Sequence, residues 1–346
     1  MATVWFCLLV FMFAMYVVLD GFDLGAGAVA FLVARTPEER GQVIGSIGPL
    51  WDGNEVWLVA AGGTLYFAFP ALYAASFSGF YLPLMFVLWL LILRGIAIEF
   101  RGEIANPLWI DFWDVVFSVS SLLLAVLLGA ALGNVLRGAP LNEQGWFFLP
   151  LWTNLRVGPQ AGILDWYTVI VGVAALLSLA LHGALWLALK TEGAVEARAK
   201  DAARLVWGGV FAATIVLAVL TPWVQPHVGE RFTSQAWGWV FPFLALAGLV
   251  WARLRLTQGR ALGAFLGSCA YLIGMLATAA YGLYPYVLPA TTGESRALTV
   301  MNAAAAEYGL RIGLAWWIPG MLLATGYFIY VYRSFAGKVR PEGNRY

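Results

Sequence analysis

Six charged side chains stand in stretches otherwise apolar enough to lie in a lipid bilayer: Asp20 and Asp23 in YVVLDGFDLG, Asp52 and Glu55 in GPLWDGNEVWLVAAGG, and Arg94 and Glu99 in LILRGIAIEFR. A charge at the centre of a membrane helix costs about 2.5–3.5 kcal/mol on insertion scales, so it persists mainly where protons, ions or cofactors need it. Carboxyls in such surroundings suit proton exchange, and an arginine among them suits the holding of negative charge. Asp20 with Asp23, Asp52 with Glu55, and Asp111 with Asp114 are each spaced i, i+3, which puts both acids of a pair on one helix face. Asp20, Asp23, Asp52, Glu55 and Glu99, with Arg94, are therefore the candidate polar cluster. Asp111 and Asp114 read more plainly as caps of a helix start or as ion-pair partners of Arg40, Arg94 or Arg101.

The elements that must position these residues follow from composition. With 62% hydrophobic and 11% charged residues, 17 Trp and a mean hydropathy of +0.80, the chain reads as a polytopic membrane protein, since soluble domains carry about 25% charged residues. A net charge of +1 with no basic run gives nucleic-acid binding no support. Cys7 and Cys269 lack CxxC spacing and read as small buried hydrophobes. Only two histidines are present. His182 falls near the inner end of the fifth apolar segment and His227 in an external loop, so they cannot ligate one haem iron together, and each reads as a packing residue.

Nine apolar segments are long enough to span: roughly 4–33, 46–69, 71–98, 110–133, 162–189, 202–221, 236–252, 260–284 and 311–333. The first has no basic residue before it and no cleavage site, and reads as a retained helix rather than a signal peptide. The loops after the odd-numbered segments and the tail hold most of the Lys and Arg. These are Arg35, Arg40, Arg101, Lys190, Arg198, Lys200, Arg204, Arg253, Arg255, Arg260, Arg333, Lys338, Arg340 and Arg345. The opposite loops hold only Arg137, Arg156, Arg231, Arg296 and Arg311, which predicts an N-terminus outside and a C-terminus in the cytoplasm. The Gly- and Pro-rich connection 134–161, with Trp146, Phe147, Phe148 and Trp152, is expected to lie on the outer membrane surface.

The expected architecture is all-α: nine transmembrane helices as two four-helix bundles plus one peripheral helix. The divisions are 1–133, a first bundle with the polar cluster; 134–161, an extracytoplasmic connection; 162–284, a second bundle; and 285–346, an external loop, ninth helix and cytoplasmic tail. In that topology the acids converge in the cytoplasmic half of the first bundle. The second bundle has only Asp165, at its outer end. A proton-coupled transporter is the alternative such buried acids raise, although transporters usually carry inverted repeats, and none is found here.

Long ungapped motifs narrow the choice. YVVLDGFDLGAG, IGPLWDGNEVWLVAAGGTLYFAFPALYAASFSGFY, LILRGIAIEFRGEI, GILDWYTV and LHGALWLALKTEG closely resemble subunit II of cytochrome bd quinol oxidases, most densely over residues 17–103. The resemblance implies a bacterial inner-membrane complex with a larger subunit I, which carries two b-type haems and a d-type haem. That complex oxidises quinol and reduces dioxygen to water, while this subunit ligates no iron. It implies proton-delivery roles for Asp52 and Asp23 beside Trp51, and by extension for Asp20, Glu55, Glu99 and Arg94. Trp51, Trp57 and Arg94 become haem-facing residues or supports of the cluster. Relatives with a Lys in the stretch where this chain reads RGEIAN depart from it there. Some relatives also hold a structural quinone or lipid, or a small accessory subunit, and no residue here decides either point.

Overall fold

The computed structural model describes residues 1–158 and 160–339; Pro159 and residues 340–346, with Arg340 and Arg345, lie outside the described residues. Twelve α-helices carry the described chain: α1 Ala2–Val33, α2 Pro37–Ile47, α3 Trp51–Ala68, α4 Pro70–Gly79, α5 Tyr81–Phe100, α6 Pro107–Arg137, α7 Trp166–Lys190, α8 Gly193–Val224, α9 Pro226–Ser234, α10 Val240–Thr257, α11 Ala261–Leu283 and α12 Glu307–Ser334. Among the described residues, eight helical stretches are long and apolar enough to cross a membrane: α1, α5, α6, α7, α8, α10 with the turn before it, α11 and α12. The 18-residue α3, which carries Asp52 and Glu55, is not among them. Two short strands, β1 Tyr286–Leu288 and β2 Leu298–Thr299, pair antiparallel before α12.

Two segments expected to be continuous are broken. The stretch 46–69 begins in the end of α2 and a turn, and α3 proper stops at Ala68, before the Phe69-Pro70 step, because the residue before a proline is pushed out of helical geometry. Pro70 then opens α4 at its first position, where a missing N–H costs nothing. The stretch 71–98 divides again at Phe80, and Pro83 falls in the first turn of α5, where its N–H would have had no intrahelical partner. Gly79 lies against Phe147 of the outer connection, so closely that a Cβ there would sit 2.2 Å from the ring.

The helices cross where glycines let their backbones approach. A Cβ on Gly25 would sit 1.9 Å from the Leu179 carbonyl oxygen, and one on Gly183 would sit 2.1 Å from the Gly25 backbone, so α1 and α7 meet backbone to backbone. Gly27 meets Ser121 of α6, and Gly129 of α6 meets Gly172 of α7. The LDGFDLGAG motif is thus a helix with three faces: glycines toward α7 and α6, acids toward the opposite side.

Short α2 is started by a capping box between Thr36 and Glu39 with Pro37 at its first position. Its apolar face, Val43, Ile44 and Ile47, joins the main core. The hydrogen bond from Arg198 holds the Glu39 carboxyl below the usual carboxylate range. Residues after α12 return over this end of the molecule: Lys190 donates to the Phe335 carbonyl (2.6 Å) and Gln42 to the Val339 carbonyl (2.9 Å).

Other expectations are corrected by position. His227 sits in helix α9 rather than a loop, with Nε2 3.1 Å from the Tyr284 carbonyl oxygen. Cys7 is exposed and Cys269 only half-buried, so neither is the buried hydrophobe expected. In the connection between α6 and α7, Trp146, Phe148 and Trp152 are exposed as an interfacial loop would be, but Phe147 is buried under Gly79.

Candidate functional site

The site is built on α1, α3 and α5, with α12 reaching in from the side. Arg94 of α5 is fully buried; its Nη1 lies 2.7 Å from Asp20 Oδ1 and its Nη2 3.0 Å from Glu55 Oε2. Asp23, one turn further along α1 and equally buried, accepts a hydrogen bond from Asn54 Nδ2 (2.8 Å). The Asn54 Oδ1 in turn accepts from the Tyr332 hydroxyl of α12 (2.9 Å). Three carboxyls and one guanidinium therefore share one buried site. Full ionisation would leave surplus negative charge in apolar surroundings, where unpaired charge is expensive.

Several polar atoms here have no protein hydrogen-bond partner among the described residues: Asp23 Oδ1, Arg94 Nε and Trp57 Nε1. Buried polar groups are nearly always satisfied, so such a concentration sets this site apart from the surrounding apolar core. Trp57 is buried one turn beyond Asn54 on α3 and meets Phe328 of α12 with the rings tilted at 46° and 5.5 Å between centroids. Tyr16, buried one turn before Asp20 on α1, belongs to the same apolar group as Trp57.

The structure separates the predicted residues into inner and outer sets. Asp20, Asp23, Glu55 and Arg94 come together. Asp52 does not join them: it lies on the exposed face of α3, because the turn that carries Asn54 and Glu55 inward carries Asp52 outward. Glu99 is also exposed and does not pair with Arg94; its Oε1 accepts from Trp51 Nε1 at 3.2 Å. Trp51 lies across Gly95, where a Cβ would be 3.1 Å from the ring, so Gly95 makes room for the indole beside the site.

The remaining charges are structural. Asp114 is buried between Arg40 (Nε–Oδ2 2.7 Å) and Arg101 (Nε–Oδ1 2.6 Å), and Asp111 pairs with Arg40, which ties α2 to α6. Capping of α6 falls to Asn106 rather than to either acid. Asp165 caps α7 and pairs with Arg137, which also donates to Asn134 and the Gly162 carbonyl. His182 is buried with both ring nitrogens engaged: Nε2 donates to the Val18 carbonyl (2.9 Å) and Nδ1 lies 2.7 Å from the Ser268 hydroxyl.

Asn54, Tyr332 and Tyr16 are site residues that the sequence did not point to. Asn54 carried a signal, since it sits between Asp52 and Glu55 in the acid-bearing motif. Tyr332 carried none, being one of 14 tyrosines, far along the chain in an apolar helix.

An all-helical, multi-pass membrane subunit with a buried acid–arginine site is the class this geometry defines. The family model for cytochrome bd terminal oxidase subunit II matches residues 1–335, and the chain belongs to that family: it is a subunit of a respiratory oxidase complex. The chain is 31% identical to the cytochrome bd ubiquinol oxidase subunit 2 of Bacillus subtilis, over 89% of this chain and 88% of that protein. It is 29% identical to a probable cytochrome oxidase subunit 2 of Haemophilus influenzae (97% and 94% covered) and 28% identical to the cytochrome bd-I ubiquinol oxidase subunit 2 of Escherichia coli K12 (98% and 95%). In fold it is similar to a chain of the bd oxidase from Geobacillus thermodenitrificans, with a TM-score of 0.71 at 19% identity, covering 96% of this chain and 98% of that one.

Proposed function

We propose that this chain is the proton-delivering, non-haem-ligating subunit of a quinol:dioxygen oxidoreductase in a bacterial inner membrane. The redox centres, two b-type haems and one d-type haem, belong to subunit I. Reduction of dioxygen to water consumes protons, and the carboxyls of this chain are graded to supply them: exposed Asp52 and Glu99, half-buried Glu55, then buried Asp20 and Asp23. The observation that carries the reading is this gradation around Arg94, which holds Asp20 and Glu55 together at 2.7 and 3.0 Å. Arg94 keeps the acids gathered, while Asp23, held by a neutral amide, is the carboxyl free to change its proton.

The engaged ring nitrogens of His182, and the Nε2 of His227 directed at a backbone carbonyl, support the absence of an axial haem ligand here. Family membership does not favour the transporter alternative. With α3 counted as a ninth span, its length of 18 residues covers about 27 Å, close to the hydrocarbon thickness. That count, the division into two bundles with a peripheral α12, and a cytoplasmic C-terminus complete the proposed arrangement.

Asp23→Asn keeps size and the partnership with Asn54 but holds no exchangeable acid proton. The purified complex is expected to retain its haem content and lose at least about tenfold in quinol oxidase turnover, roughly 1.4 kcal/mol of barrier. Full turnover at normal haem content overturns the proton-path assignment.

A further inference from the structure

Helix α12 is the least embedded of the long helices: Leu310 is its only buried residue. It touches the rest of the protein at two places: near its start, where Trp5 donates to the Leu310 carbonyl and Gly313 lies against Phe67, and near its end, at the polar site. Phe328 meets Trp57, and Tyr332, one turn later, meets Asn54, one turn before Trp57 on α3. Packing alone asks only for an aromatic ring at 332, as Phe328 illustrates on the same face. The hydroxyl adds something specific, since it donates to Asn54 Oδ1 at 2.9 Å while Asn54 Nδ2 donates to Asp23 Oδ2 at 2.8 Å.

We infer that Tyr332 and Asn54 are positioning residues for proton exchange at Asp23, forming a directed chain from the peripheral helix to one oxygen of that carboxyl. Resting on the proton-path reading above, the inference extends it to α12. The two bonds run in the same sense, O–H to C=O and then N–H to carboxylate, so donation from Tyr332 polarises the amide and strengthens its bond to Asp23. An asparagine amide has donor and acceptor ends of nearly equal shape, and its orientation is set by its partners. With Asn54 on Oδ2, the oxygen left without a partner is Oδ1, which becomes the place where a proton arrives and leaves. The seating of α12 is thereby linked to the readiness of Asp23.

Other charged and titratable groups surround Asp23 and stay in place in the variants below. They are Asp20 on its own helix, Glu55 on α3 and Arg94 on α5, with Tyr16 beside Asp20 and Cys269 of α11 near Tyr332. A change seen on altering Tyr332 then reports the chain of two hydrogen bonds.

The test is turnover against pH in the purified complex at constant haem content. Tyr332→Phe is expected to displace the pH profile by about half a unit to one unit, the effect of one hydrogen bond. Asn54→Leu is expected to displace it at least as far, and Tyr332→Phe adds nothing in the Asn54→Leu background, because both act through one path. Phe328→Leu trims a neighbouring ring on the same helix while leaving both hydrogen bonds, and leaves the profile in place. A Tyr332→Phe profile that overlays the unaltered one, or a displacement that adds in full to that of Asn54→Leu, overturns the inference. If Tyr332→Phe lowers haem content, 3-fluorotyrosine at 332 keeps the packing and alters only the donor strength of the phenol. An undisplaced profile there is equally fatal. Asp23→Asn separates the two readings: full turnover sinks the proton path, whereas lost turnover alongside an undisplaced Tyr332→Phe profile sinks only the role of Tyr332.

Discussion

Arg94 is a fully buried charge whose removal has a large energetic consequence. A guanidinium without water contact, held against Asp20 and Glu55, is tolerable only while both acids remain. Removing one partner of a buried pair leaves an uncompensated charge and costs about 3–5 kcal/mol, comparable to the whole stability of a small domain. Arg94→Gln is therefore expected to lower the yield of assembled, haem-bearing complex severely, measured as haem per purified protein. Arg94→Gln combined with Asp20→Asn is expected to recover much of that yield without recovering turnover. Equal losses in the single and double variants count against the pairing as the cause. The acids and this arginine were legible in the sequence because each is a charge in an apolar run. What the sequence left open was which acids turn inward: i, i+3 spacing puts Asp52 and Glu55 on the same broad face of α3, but the edge of that face falls between them. Neutral Asn54 and Tyr332 cost too little in an apolar helix to announce themselves.

The helices were read from hydropathy, and the long apolar ones that stay unbroken emerged within about five residues of their expected ends. The exception is α8, which begins at Gly193, well before the expected 202, through the charged stretch Glu196 to Arg204. Hydropathy could not locate the breaks at Phe69 and Phe80, since an apolar run stays apolar across a broken helix; the prolines at 70 and 83 were the available sign. Nor could it distinguish glycines with open space beside them in this chain from glycines that set a crossing. Gly53, Gly62 and Gly63 of α3 have open space at the Cβ position, while Gly25 and Gly183 have a neighbouring backbone there. Adding a methyl group to Gly183 must push α1 and α7 apart, and with them Asp20 and Asp23. Overpacking costs about 1–3 kcal/mol, and more where backbone is the obstacle. Gly183→Ala is expected to reduce the thermal stability of the complex measurably, whereas Gly63→Ala is expected to leave it unchanged. A neutral Gly183→Ala means that the crossing is looser than the contact distances imply.

For the whole molecule, orientation decides whether the graded carboxyls open toward the side that supplies protons. Arg40 and Arg101 bracket Asp114 at the end of the molecule where α2 lies, and Lys190, Arg198 and Lys338 gather at that same end through their bonds to Phe335, Glu39 and Glu196. The opposite end, beyond α6 and before α7, has Arg137 tied to Asp165 and only scattered exposed cations. The positive-inside bias thus coincides with one physical end of the structure, not merely with alternate loops in the sequence. Asp52 and Glu99 lie toward that end, at the start of α3 and the close of α5. A reporter active only outside the membrane, fused after Tyr346, is accordingly expected to be inactive, and the same reporter inserted at Glu143 in the connection between α6 and α7 is expected to be active. Reversed activities would turn the molecule over, and the acids would then open toward the external face, where they could not draw protons from the cytoplasm.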